Sequence, residues 1–172
     1  MKTTLALLTP LLITLLVSNP VSAFESDIAL KVAVVKDARG TQDIVKGNFN
    51  KSIMKLTKRH QGESSYNSDM SLCVAYLQAD NAEQSELACT AAIDSIEAMN
   101  LNNTIGLYLK SLSYSNRGIS RYKNNDLSGA LADLNQAILI DENTITLGNL
   151  KIIKQKAYRL ASLSETSPLI AD

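Results

Sequence analysis

Tyr114-Ser-Asn-Arg-Gly118-Ile-Ser-Arg-Tyr122-Lys-Asn-Asn-Asp126-Leu-Ser-Gly-Ala130-Leu-Ala-Asp-Leu134-Asn-Gln-Ala137-Ile138 is the stretch on which the fold is decided. It contains no proline, carries small residues at Gly118, Ala130 and Ala137, and places larger apolar ones at Leu127 and Leu134. Asp126 stands where its carboxylate can accept from the free N–H groups that open a helix. The surroundings have the same character. The 172-residue chain has three prolines, Pro10, Pro20 and Pro168, all near its ends, and strict apolar alternation is confined to residues 29–35. An all-α core follows.

The stretch resembles a tetratricopeptide repeat, a helix-turn-helix unit of about 34 residues with small side chains where the two helices cross and larger ones between them. Gly118, Ala130 and Ala137 match the three small positions of that motif, and Leu127 and Leu134 the large ones. Laid 45 residues earlier, the template puts Cys73, Ser85 and Ala92 on the small positions and Tyr76, Ala82, Cys89 and Ile93 on the larger or adjoining ones, with Asn81 and Gln84 as a capping pair. Laid a further 33 residues back, it puts Gly40 and Ser52 on small positions and Phe49 and Leu56 on large ones, while Arg59 breaks the third small position. No copy ends in the motif's usual proline, and residues 100–110 are an insertion between the second and third copies. The resemblance implies an antiparallel helix-pair solenoid over residues 24–164, with copies near 33–65, 66–99 and 111–144. Residues 145–163 have apolar positions at helical spacing and a polar opposite face, as a helix capping such an array requires. Residues 27–35 read equally as an extension of the first helix or as an extended arm, and residues 165–172 as a tail.

The resemblance also implies a concave face built from the first helix of each pair. In the second copy its candidates are Asn67, Met70, Val74 and Leu77; in the third, Leu112, Ser115, Ile119 and Tyr122; in the first, Val34, Asp37, Thr41 and Ile44. The strip is largely apolar and lacks the Lys, Asn and Arg set with which family members clamp a peptide carboxylate. An apolar or amphipathic protein segment is the ligand this predicts, in the helix-in-groove or extended-peptide mode. Coverage by the N-terminal segment or by the insertion is the equal alternative. Within the repeat, Cys73 and Cys89 each lie eight residues from a turn near residue 81. They therefore face each other across the hairpin, at a separation that suits either a disulfide or two buried thiols packing as small apolar residues.

The chain ends set the compartment. Residues 1–4 carry one lysine, residues 5–17 are apolar, and Val21-Ser22-Ala23 offers small residues for cleavage. This is the pattern of a secretory signal peptide over residues 1–23, too short and too proline-broken for a membrane span. Export is expected, to the periplasm if the source is bacterial and otherwise to the medium, with no membrane span after cleavage. The remaining 172 − 23 = 149 residues suffice for one domain. With Lys2 removed they hold 16 Lys and Arg against 17 Asp and Glu. A balanced, interspersed surface gives nucleic acid or anionic lipid nothing to bind.

Catalytic patterns are sparse. Ser52-Ile-Met-Lys55 with Ser65-Tyr66-Asn67 invites comparison with the penicillin-binding and β-lactamase group, but no Lys-Thr-Gly follows in the mature chain and Ser52 already holds a packing position. His60, the one histidine, lies in a polar run that reads as a helix end. No set of side chains is spaced for a metal, and no glycine-rich loop for a phosphate. The sequence points to a non-enzymatic protein-binding scaffold without cofactors, with a self-associating assembly protein as the alternative.

Overall fold

A computed structural model of the chain describes residues 29–58 and 64–165. Among the described residues every regular element is helical: α1 (Thr41–Val45), α2 (Phe49–Leu56), α3 (Ser65–Gln78), α4 (Ala82–Ala98), α5 (Thr104–Lys123), α6 (Leu127–Ile140) and α7 (Thr144–Glu165). None of these helices is long and apolar enough to cross a membrane. The signal segment, Arg59, His60 and residues 166–172 lie outside the described residues.

Three turns share one chemistry. Gly47, Asp80 and Asn125 adopt the left-handed conformation, with φ of 76°, 53° and 64°. The residue after each, Asn48, Asn81 and Asp126, donates its N–H to the carbonyl five residues back, on Asp43, Tyr76 and Arg121, at 2.8, 3.0 and 2.9 Å. Such a bond closes the preceding helix. The same three residues are the N-caps of α2, α4 and α6. The Asn81 and Asp126 side chains accept from the N–H groups of Gln84 and Gly129, at 3.3 and 2.8 Å. These turns are 80 − 47 = 33 and 125 − 80 = 45 residues apart, the two intervals that separate the copies in the sequence.

Each helix packs on its successor. In addition α1, α3, α5 and α7 touch one another in chain order, whereas α2, α4 and α6 do not. The odd-numbered helices therefore line one face and the even-numbered ones lie behind them. Small residues permit the close crossings: a Cβ on Gly118 would stand 3.1 Å from the Ala130 carbonyl oxygen, and one on Gly40 2.5 Å from Ser52 Oγ. Ser85, Ala92, Ala130 and Ala137 are buried as well.

Three features differ from the sequence reading. Most of the insertion at residues 100–110 is helix, because the Asn103 side chain accepts from the Gly106 N–H at 2.8 Å and so starts α5 at Thr104. The first copy lacks a full first helix. Only α1, five residues long, stands there, preceded by residues 29–35 in neither helix nor strand. Residue 165, expected in the tail, is the last residue of α7.

Candidate functional site

The inner face formed by α3, α5 and α7 is occupied. Residues 29–35, hereafter the arm, cross it and contribute to all three apolar clusters of the core. Ala33 and Val35 pack with Tyr66, Met70, Ile96 and Leu112. Val32 and Val34 pack with Ile44, Val74 and Ala75. Leu30 packs with Leu134, Leu150 and Ile153. The alternation of Val32 and Val34 against Ala33 and Val35 is that of an extended chain.

Two asparagines hold the arm by its backbone. Asn116, on α5, accepts from the Ala33 N–H at 3.0 Å and donates to the Ala33 carbonyl at 2.8 Å. Asn149, on α7, does the same to Lys31, at 2.8 Å for each bond. Residues 31 and 33 face the same way in an extended segment, so the two amides act as successive rungs. They lie 149 − 116 = 33 residues apart, and 45 residues before Asn116 the same register on α3 is held by Ser71. That shorter side chain is buried and makes no hydrogen bond. The Lys31 side chain stays exposed, while Ala33 is 8% exposed. An amide on a helix can satisfy both the N–H and the carbonyl of one residue without reading its side chain. The arrangement therefore grips backbone and sorts side chains by the size of the space around them.

Of the two alternatives for the concave strip, an open groove or coverage by the N-terminal segment, the structure has the second. Met70, Val74, Leu77, Leu112 and Ile119 are buried, and Tyr122 is half-buried against Leu134 and Leu150. The strip is not an open surface, and the arm packs in the clusters that hold Met70, Val74, Leu112 and Tyr122. Asn116 and Asn149, the residues that make the contact, escaped the sequence reading; the signal was an asparagine, a poor helix former, amid the buried faces of α5 and α7. Asn116→Ala should leave the N–H and carbonyl of Ala33 unpartnered, and each buried orphan costs about 1–3 kcal/mol. The arm relieves this by leaving, so trypsin should cut after Lys31 about tenfold faster than in the wild type. Equal cleavage rates would show that Asn116 does not hold the arm.

Cys73 and Cys89 form a disulfide between α3 and α4, with an S–S distance of 2.07 Å and a Cα–Cα distance of 4.5 Å, and both are fully buried. Behind the inner face, Asp133 on α6 accepts two hydrogen bonds from Arg117 at 2.8 Å and pairs with Arg121 at 3.0 Å. Arg121 reaches on to Glu86 of α4 at 3.0 Å. Hydrogen bonding to Asp133 pushes the Arg117 guanidinium further above its ordinary value. Burial raises the Tyr66 phenol, whose oxygen lies 3.3 Å from Ser113 Oγ and from the Leu109 carbonyl.

The Ser-x-x-Lys residues are otherwise engaged. Ser52 is buried and its hydroxyl donates to the Gly40 carbonyl at 3.1 Å. The Lys55 ammonium bonds Asp43, which it holds below the usual carboxylate range. Comparison of the chain with known proteins finds no matching family model, curated protein or solved structure.

Proposed function

We propose that the chain is an exported, non-enzymatic scaffold of tetratricopeptide-like helix pairs whose inner face binds an extended apolar peptide, and that it serves as a protein-binding adaptor in the cell envelope. The observation that carries the reading is the double amide grip of Asn116 and Asn149 on Ala33 and Lys31. It is a peptide-binding arrangement occupied by a piece of the chain itself. The repeat reading draws support from the three like turns at 33- and 45-residue intervals, and from odd helices that touch in order while even ones do not. A disulfide is in keeping with an oxidising compartment.

The test empties the groove and refills it. Ala33→Asp should expel the arm, because a carboxylate does not fit among Tyr66, Met70 and Leu112. By fluorescence anisotropy this variant should bind a labelled peptide of residues 29–36 at least about tenfold more tightly than the wild type, whose own arm competes. Adding Asn116→Ala should abolish that binding. Circular dichroism of the variants distinguishes an emptied groove from an unfolded chain. A folded Ala33→Asp variant that ignores the peptide removes the basis for the reading.

A further inference from the structure

We infer that residues 29–35 are an exchangeable strand and that their partner is a second copy of this chain, the arm of each docking on Asn116 and Asn149 of the other; this rests on the reading of the inner face as a peptide site. Apart from the turn bond from the Ala38 N–H to the Val35 carbonyl, none of the arm's contacts requires that it belong to the same molecule. It is held by four hydrogen bonds from two side-chain amides and by the apolar side chains of residues 30–35. Exchange between identical chains conserves every one of these contacts, which is why swapping is a low-cost route to dimers. A foreign peptide would have to match them. It would need a residue as small as alanine at the enclosed position and apolar residues on both sides, and the copy already has them.

The connection supplies a hinge. Residues 36–40 join the arm to α1 through a turn closed by Ala38 N–H to Val35 O at 3.3 Å and Thr41 Oγ1 to Val35 O at 2.8 Å. Within it Asp37 has φ 60° and Gly40 φ 84°. A non-glycine residue in the left-handed region is disfavoured, and straightening the connection removes that penalty. The closed arm is nevertheless tethered by a short segment, which gives it an effective concentration of the order of millimolar. The closed monomer therefore dominates at micromolar protein, and exchange competes when chains fold together at high concentration.

The experiment uses full chains. A benzophenone amino acid is placed at position 31 (Lys31→benzoylphenylalanine), where the side chain is exposed and the backbone lies against Asn149. Equal amounts of this chain in nitrogen-15 and ordinary form are refolded together at about 1 mM, the range set by that tether, then diluted and irradiated. Cross-links joining position 31 of one isotopic form to α7 of the other are expected. They should be several-fold more abundant in Asp37→Pro, since proline cannot adopt the positive φ of the closed turn, and scarcer in Asp37→Gly. Cross-links confined to single chains in both the wild type and Asp37→Pro overturn the proposal. If a free peptide of residues 29–36 bearing the same group cross-links to α7 while chains do not exchange, exchange is refuted and the peptide site stands. If the peptide also fails to cross-link, both fall.

Discussion

Val74→Asp should leave no stably folded protein at room temperature, and Ile119→Asp should do the same. Val74 is 0% and Ile119 1% exposed, so either carboxylate would lose its hydration, and around Val74 the apolar cluster of Ile44, Ala75, Val32 and Val34 offers no cation to replace it. The group would be forced to protonate, at the cost of a strongly raised pKa, and would also forfeit the packing of the aliphatic side chain it replaces. Together these exceed about 5 kcal/mol, which is the whole stability of many domains. Leu87→Asp, at a site 58% exposed, is the control and should stay within about 0.5 kcal/mol of the wild type. Far-UV circular dichroism and gel filtration decide. Had the strip been an open groove, both inner substitutions would weaken capture of a ligand and leave the fold intact. A Val74→Asp protein that melts cooperatively near the wild-type temperature would contradict the burial described above.

The second large effect concerns the disulfide. Removing it with Cys73→Ala and Cys89→Ala should cost about 3 kcal/mol, the loop entropy released to the unfolded chain when a closure of this length is lost. The bridge spans 16 residues. For a domain of this size that corresponds to a fall of about 10 °C in Tm. Serine in place of alanine should cost more, because both sites are fully buried and a hydroxyl there needs a partner. Since neither sulfur reaches solvent, reductant acts only on an opened state, and native protein should keep the bond under millimolar dithiol while unfolded protein loses it. An unchanged melting temperature in the alanine double variant, or equally fast reduction of native and unfolded chains, would count against a structural role.

Local chemistry made much of the fold legible. Asp126 and Asn81 were readable as caps because a short side-chain acceptor beside the first free N–H groups of a helix acts within three residues. The intervals of 33 and 45 residues were readable from the small residues at the helix crossings, Gly40, Cys73 and Gly118, and the structure puts left-handed Gly47, Asp80 and Asn125 at the same intervals. The facing of Cys73 and Cys89 followed from equal distances to one turn. Other features were misjudged where a local signal was outweighed. Residues 104–110 looked like an insertion because they interrupt the repeat, yet the Asn103 cap extends α5 through them.

The inner face marks where the sequence stops being informative. An apolar strip on one side of a helix looks the same whether it faces a ligand, a neighbouring helix or the chain's own arm, since periodicity records a face and not what lies opposite. Asn116 meets its partner across 83 residues and Asn149 across 118, and no local pattern encodes a pairing at that distance. The sequence by itself determined that the core is helical, where two of its turns are capped and that the two cysteines face each other, because those depend on interactions between near neighbours. Only the tertiary structure decided that the inner face is filled, by which residues and through which two asparagines, because that depends on where residues 29–35 come to rest against helices distant in sequence.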